Sequence, residues 1–262
     1  MAKKTALVSG ASAGIGLEIA RYHAKLGGDL VVVARREDKL QELKKELEAE
    51  RGITVHVVTA DLQADDGPQQ VYDKVKAEGI EIDYLINNAG FGGNGHFHEV
   101  DLVKNLGMVD LNIKSLMTMT NLFLKDMVER GSGRILNVGS TAGMVPGPLH
   151  ATYHGTKAFV NSFSFALAEE VRNKGVTVTL LAPGPVKTEF FDKADMANTN
   201  GVRDSKPADE VARMGYEAMQ LGDLLVINDW KLSLLLQWVV PFLPRRQVLA
   251  MARKFAEKSS SH

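Results

Sequence analysis

The sequence contains no cysteine, which excludes disulfides, thiolate metal sites and a cysteine nucleophile. Bulk charge of either sign is also missing. Thirty-one Lys and Arg against 32 Asp and Glu leave a formal net charge of −1, so nothing in the balance points to nucleic acid. No long, uninterrupted apolar run exists. The most apolar stretch, near the C-terminus, is broken by Lys231, Gln237 and Pro241 and is too short to span a bilayer. Met1-Ala2-Lys3-Lys4 reaches Gly10 too soon for a signal-peptide apolar region, so a cytoplasmic location is expected. There is no internal repeat, low-complexity linker or composition break. What remains is 262 residues, 45% hydrophobic and 24% charged, a length and composition suited to one α/β domain.

Thr5–Ser9 is a short run of β formers that leads at once into Gly10-Ala11-Ser12-Ala13-Gly14-Ile15-Gly16, and helical spacing follows from Leu17 to Leu26. Between a strand and a helix, such glycines suit phosphate. Helix N-terminal N–H groups supply a positive field, and missing Cβ atoms let a pyrophosphate approach. A purely structural glycine turn is the competing reading. Leu30–Ala34 reads as a second buried strand and ends in Arg35-Arg36. An acidic residue there would hold the ribose 2′-hydroxyl of NAD, whereas arginine suits the 2′-phosphate of NADP. A solvated basic helix start competes, but the positive end of a helix disfavours it.

Ile53–Thr59 is expected to be a strand, with Asp61-Leu62 at its exit; the carboxylate there could accept from an adenine amino group or cap a turn. Ile82–Ile86 runs into Asn87-Asn88-Ala89-Gly90, whose amide and small side chains suit close packing beside a cofactor. Arg134–Gly139 delivers Ser140 to the carboxyl end of the sheet, where doubly wound folds place their ligands. Val176–Leu181 exits through Pro183-Gly184-Pro185-Val186-Lys187-Thr188, a rigid loop suited to framing a nicotinamide amide, and Leu224–Ile227 reads as a last strand. Surface helices are expected over 37–51 and 67–78, and two helical stretches over 100–127. The alternation predicts a Rossmann-type, doubly wound parallel sheet of about seven strands with helices on both faces.

Ser140, Tyr153 and Lys157 bring a hydroxyl, a phenol and an ammonium close in sequence. If 151–174 is helical, Tyr153 and Lys157 lie one turn apart on one face. The lysine charge is then expected to lower the phenol's pKa, giving an acid–base group for carbonyl reduction or alcohol oxidation. His96, His98, His150 and His154 form i, i+2 and i, i+4 pairs, but no acidic ligand of suitable spacing accompanies them, so no metal site is expected. Residues 192–206 read as a mobile lid over the substrate. The tail from Trp230 to Lys258 is apolar, then basic. It could cover the substrate cavity, form a subunit interface, or lie on a membrane surface with its cations toward anionic lipid.

Taken in order, Ser9-Gly10-x-x-x-Gly14-x-Gly16, Asn87-Asn88-Ala89-Gly90, Asn112, Ser140, Tyr153-x-x-x-Lys157 and Pro183-Gly184 resemble the short-chain dehydrogenase/reductase superfamily over about residues 4–228. Ser9 stands where threonine is usual in that family, and the hydroxyl is kept. The tail lies outside the shared pattern, although it is similar to the basic, proline-interrupted ends of some members that reduce fatty-acyl or steroid-like ketones.

The resemblance implies a catalytic set of Asn112, Ser140, Tyr153 and Lys157. Tyr153 would be the proton donor, and Lys157 would lower its pKa and hold the nicotinamide ribose. Ser140 would bond the substrate oxygen, and Asn112 would hold a water in a proton path from Lys157. Together with the residue reading it gives a cofactor set of Gly10, Ser12, Gly14, Ile15, Gly16, Arg35, Arg36, Asp61, Leu62, Asn88, Ala89, Gly90, Tyr153, Lys157, Pro183, Gly184, Val186 and Thr188. NADP(H) is the expected cofactor. Met144, Val145, Pro146, Leu149, His150, Phe190 and Phe191 are expected to line the substrate cavity, with Met144, His150, Phe190 and Phe191 as contacts. The expectation is a carbonyl reductase for an apolar ketone, aldehyde or 3-oxoacyl thioester, catalytic over 1–228 with a helical extension over 229–262. Family habit implies a homodimer or homotetramer. The alternative is a non-catalytic NADPH sensor or scaffold that uses its tail for a partner or a membrane.

Overall fold

The computed structural model describes residues 3–193 and 205–257. Most of the stretch read as a lid, and residues 258–262, lie outside the described residues. The chain alternates β1 (Thr5–Ser9), α1 (Gly14–Lys25), β2 (Asp29–Ala34), α2 (Glu37–Arg51), β3 (Val55–Thr59), α3 (Gly67–Ala77) and β4 (Tyr84–Asn87). Next come α4 (Leu102–Val109), a π-helical turn (Asp110–Ser115) and α5 (Leu116–Glu129) as one continuous rod, then β5 (Gly133–Val138). A 3₁₀ turn (Thr141–Met144) precedes α6 (Ala151–Glu170) and β6 (Val176–Leu181). The short pair β7 (Val186–Lys187) and β8 (Lys206–Pro207) brackets α7 (Phe190–Lys193), and α8 (Ala208–Leu221) and β9 (Leu225–Val226) follow. The tail folds as α9 (Trp230–Leu234), a π turn (Leu235–Val239), a 3₁₀ turn (Val240–Phe242) and α10 (Arg245–Ala256).

Seven strands pair in the order β3-β2-β1-β4-β5-β6-β9, every pair parallel. Side chains alternate across such a sheet, and both faces are apolar because both are covered. Val8, Val32 and Leu136 point to the layer formed by α1, α2 and α8, with Ile19, Leu43 and Met219. Leu7, Val31 and Ile135 point to the opposite layer, with Val71 of α3, Phe123 of α5 and Leu167 of α6. The strand order reverses between β1 and β4, which opens a crevice at their carboxyl ends. α6 stops at Glu170, short of the expected 174, because the chain must turn through Gly175 (φ 71°) to enter β6. No described helix is long and apolar enough to cross a membrane.

Candidate active site

A cavity of about 630 Å³ lies along the carboxyl edge of the sheet, from the exit of β2 to the tail. Its floor is the β1–α1 loop. Ser9, buried at the end of β1, fixes that floor: its Oγ donates to the Ile86 carbonyl at 3.2 Å and accepts from the amides of Asn88 at 2.9 Å and Ala89 at 3.1 Å. Asn88 Nδ2 in turn donates to the Ser9 carbonyl at 2.9 Å. A Cβ at Gly16 would stand 2.4 Å from Asn88 Nδ2 and 2.6 Å from the Gly10 carbonyl oxygen, so the loop can rest on the β4 exit only with glycine there. Thr188 closes over Gly14, whose Cβ would lie 3.1 Å from Thr188 Cγ2. No side chain caps the start of α1, which leaves its first N–H groups as anion donors at the cavity wall. A glycine cradle beneath free helix-end donors fits a pyrophosphate.

The β2 exit carries two arginines with different environments. Arg36 Nη2 donates to the Ser12 carbonyl at 3.0 Å, its Nε to Ser12 Oγ at 3.2 Å, and its Nη1 pairs with Glu189 at 3.2 Å. Arg35 is 69% exposed at its side chain and lies 3.8 Å from Asp61 Oδ2. Asp61 also accepts from the Gln63 amide at 3.0 Å, so the turn cap weighed from the sequence is present while the residue still faces the cavity.

Ser140 leaves β5 in extended conformation and caps the following 3₁₀ turn, accepting from the Ala142 amide at 3.1 Å. Its backbone is clamped by Asn161 of α6, which donates from Nδ2 to the Ser140 carbonyl at 2.9 Å and accepts from the Ser140 amide at 3.4 Å. Tyr153 and Lys157 occupy one buried face of α6. Lys157 Nζ donates to the Val138 carbonyl at 2.8 Å. Burial lowers the Lys157 pKa to about 8 and raises that of Tyr153 to about 12, where a hydrogen bond with Ser140 pulls the other way. The expected lowering of the phenol by its neighbour is therefore corrected. At these buried positions, loss of water outweighs any field from an ammonium that is itself desolvated and tied to β5.

The cavity wall takes in the predicted Gly10, Ser12, Gly14, Ile15, Arg35, Arg36, Asp61, Leu62, Asn88, Ala89, Gly90, Ser140, Tyr153, Lys157, Pro183, Gly184, Val186 and Thr188, with Val145, His150, Phe190 and Phe191. It does not take in Gly16, Asn112, Met144, Pro146 or Leu149. Gly16 lies beneath the loop. Asn112, at the π turn, is buried behind Phe91, accepting from its amide at 3.1 Å and donating to its carbonyl and to Thr156 Oγ1, both at 3.0 Å. The missing Cβ of Gly90 leaves room between Asn112 Oδ1 and Lys157 Nζ, since it would stand 3.0 and 3.7 Å from them. Met144 packs against the buried cluster that contains Val160 and Leu180.

His150 Nδ1 lies 2.9 Å from the Gly93 carbonyl and His154 Nδ1 2.8 Å from that of Val145; burial lowers both pKa values. Both imidazoles thus hold backbone carbonyls. Sequence reading missed Asn161 and also Asn228, which accepts from the Gly184 amide at 2.8 Å and so fixes the Pro183–Gly184 loop. A lone asparagine on an apolar helix face or after a strand carries no motif, so only folding reveals them. The far wall comes from the tail, with Leu232, Leu236 and Val240 from the α9 side and Val248, Ala252 and Phe255 from α10.

A family model described as short chain dehydrogenase matches residues 4–198. The chain is 33% identical over 247 residues to the very-long-chain 3-oxoacyl-CoA reductase of Macaca fascicularis, covering 89% of this chain and 76% of the relative. Matches to proteins of the same name from other animals cover 60% of those chains. It is 35% identical over 230 residues to sulfoacetaldehyde reductase 2 of Chromohalobacter salexigens, covering 85% of this chain and 90% of the relative. Among solved structures, a short-chain dehydrogenase from Sphingobium yanoikuyae in complex with NADPH superposes with a TM-score of 0.84 at 28% identity, covering 99% of each chain.

Proposed function

The chain belongs to the short-chain dehydrogenase family, and from that premise we propose that it is an NADPH-dependent reductase of apolar ketones, aldehydes or 3-oxoacyl thioesters. The observation that carries the reading is the meeting of Ser140, Tyr153 and Lys157 at a cavity with a glycine cradle as its floor and an apolar tail as its far wall. NADP(H) as cofactor is supported by Arg35 and Arg36 at the β2 exit and by the NADPH-bound Sphingobium structure. The start of α1 and the Gly10–Gly16 loop would hold the pyrophosphate, Asp61 and Leu62 the adenine end, and Asn88 to Gly90, Pro183, Gly184, Val186 and Thr188 the nicotinamide end. When bound, the nicotinamide supplies the hydride that goes to the carbonyl carbon.

This chain's own residues handle the oxygen and its proton. Ser140 Oγ donates to the substrate oxygen and stabilises the charge that grows there. Tyr153 gives its hydroxyl proton to that oxygen, forming the alcohol and leaving a phenolate. A phenol raised to about 12 holds its proton until the oxygen becomes more basic than itself, which suits the reductive direction. Lys157 holds the nicotinamide ribose hydroxyls and passes a proton back to Tyr153. Asn112 and its bond to Thr156 brace the path along which Lys157 is resupplied.

Two relatives with very different substrates can be weighed against the cavity. A small anion such as sulfoacetaldehyde needs a cation near the reacting carbon. Among the described residues that line the cavity, the lysines and arginines are Arg35 and Arg36 at the opposite end and Lys157, already committed. Phe91, Phe190, Phe191 and the tail leucines favour an acyl or polycyclic body instead. A homodimer or homotetramer is the assembly we expect, and light scattering would report it. The deciding experiment follows NADPH oxidation over a panel of 3-oxoacyl thioesters, bulky ketones and small anionic aldehydes. Apolar substrates should turn over, and Tyr153→Phe should lower kcat by roughly 10²–10⁴-fold while NADPH still binds. Unchanged turnover in that variant, or preference for the anionic aldehyde, would refute the reading.

A further inference from the structure

The tail is apolar on two sides, and the cavity uses only one of them. In α10, Val248, Met251, Ala252, Phe255 and Ala256 follow i, i+3, i+4, i+7, i+8 and face the cavity. Met251 and Phe255 line the cavity yet are 49% and 62% exposed, so they stand at its rim. In the α9 region Leu232, Leu236 and Val240 turn inward, while Trp230, Leu234, Trp238 and Phe242 follow i, i+4, i+8, i+12 outward. Trp230 and Trp238 are each 69% exposed and Phe242 is 82% exposed. A helical segment apolar on both sides calls for an apolar environment on both.

Charge selects which environment. From residue 230 to 256 there is no acidic residue, while Lys231, Arg245, Arg246, Arg253 and Lys254 supply five cations. Arg253 pairs with Glu257 at 3.1 Å, and Lys231 Nζ sits 5.7 Å from the Trp230 ring centroid, a cation folded over an aromatic as at a lipid headgroup level. Two copies meeting on this face by a twofold axis would bring these cations together. An anionic bilayer surface would instead take up the aromatic stripe and neutralise the cations.

We propose that the outer face of α9, its following turns and the basic rim of α10 dock on an anionic lipid surface, so that the cavity opens against the bilayer. The docking stands on the tail alone; delivery of an apolar substrate from the lipid rests on the reductase reading above.

The chain's two tryptophans are both in this stripe, so intrinsic tryptophan emission reads the tail and nothing else. The full-length protein is titrated with vesicles of phosphatidylcholine alone and of phosphatidylcholine with phosphatidylserine. Expected are a blue shift, protection from acrylamide and co-sedimentation with the anionic vesicles, all weakened by added salt. Arg245→Ala with Arg246→Ala should weaken binding about tenfold or more, and Trp238→Asp with Phe242→Asp should abolish it. Both variants should retain turnover of a short, water-soluble ketone, which also certifies their fold. Emission unchanged by anionic vesicles would overturn the proposal. So would a blue shift that follows protein concentration without lipid, since that marks a self-association face. Lipid binding without any turnover would sink the reductase reading alone.

Discussion

Lys157 Nζ donates to the carbonyl of Val138 at 2.8 Å, which ties the ammonium to the last residue of β5, directly before the turn that presents Ser140. One bond to a backbone oxygen does not replace the water an ammonium loses on burial, so its folded pKa of about 8 lies below the ordinary 10.5. Between those values the unfolded chain binds more protons than the folded one. Stability of the cofactor-free protein therefore rises with pH across about 8 to 10, and the penalty is fully present below 8. The gap corresponds to roughly 3 kcal/mol, and losing the Val138 bond takes back about 1. Lys157→Met should thus raise the cofactor-free Tm at pH 7 by several degrees, flatten the pH slope above 8, and abolish turnover. Thermal unfolding across pH checks this, and a variant less stable than the parent at pH 7 would contradict it.

The two arginines at the β2 exit should separate by experiment. Arg36 already spends its guanidinium on Ser12 and Glu189 and so stiffens the glycine loop. Arg35 is more exposed and lies 3.8 Å from Asp61. Arg35→Ala should raise the KM for NADPH about tenfold or more and leave that for NADH nearly unchanged. Arg36→Ala should weaken both cofactors together, since it loosens the loop under either pyrophosphate. Steady-state kinetics with the two cofactors decide between this division and an equal role for the pair.

The sheet, its seven strands and the residues at their carboxyl ends were legible in the sequence because buried parallel strands are largely continuous apolar runs, and most of them end abruptly in glycine, amide, hydroxyl or charged residues. At Ser9 the hydroxyl kept in place of the family's threonine turns out to bind the β4 exit, a contact the sequence did not specify. What the sequence could not give is any effect that depends on depth. The Tyr153–Lys157 spacing was right and its electrostatics were not, because burial is set by residues distant in the chain. Met144, expected as a substrate contact, packs instead against a cluster drawn from distant parts of the chain, Leu116, Val160, Leu180, Ala182 and Ile227. Asn161 and Asn228 act through backbone contacts that span 21 and 44 residues, beyond any local pattern.

Asn161 is a positioning residue, and it should be separable from the groups that touch substrate. It is buried on α6, and both ends of its amide hold the backbone of Ser140. Asn161→Ala leaves the Ser140 amide unpaired and takes one of two donors from its carbonyl, which keeps the Gly143 amide at 3.0 Å, and should cost about 1–3 kcal/mol of stability. Because Ser140 Oγ then loses its aim, kcat should fall about tenfold or more, with the KM for NADPH unchanged. Asn161→Asp keeps the acceptor but not the donor and should fall between the two. Equal losses in kcat and in cofactor affinity would assign Asn161 a merely structural role.

Gly92 sets how closely Phe190 and Tyr153 approach, and it carries the sharpest steric prediction. The two rings lie 5.5 Å apart between centroids, and Gly92 sits against both. A Cβ there would stand 2.9 Å from Phe190 Cζ and 3.3 Å from Tyr153 Cδ2. Tyr153 is held on α6 by its buried neighbours, whereas Phe190 is half-buried in the short α7, so Phe190 is the ring that must yield. Gly92→Ala should then leave the fold and NADPH affinity intact, as the cradle at Gly10 to Gly16 is remote in the cleft. Displacing Phe190 from the substrate side should raise the KM for a bulky apolar ketone several-fold while kcat changes little, since the Tyr153 hydroxyl keeps its place. Adding Phe190→Ala to Gly92→Ala removes the clash and should make the second substitution nearly neutral in that background. A double-mutant cycle on kcat/KM measures this coupling, and strictly additive losses would show that the two residues do not share the contact.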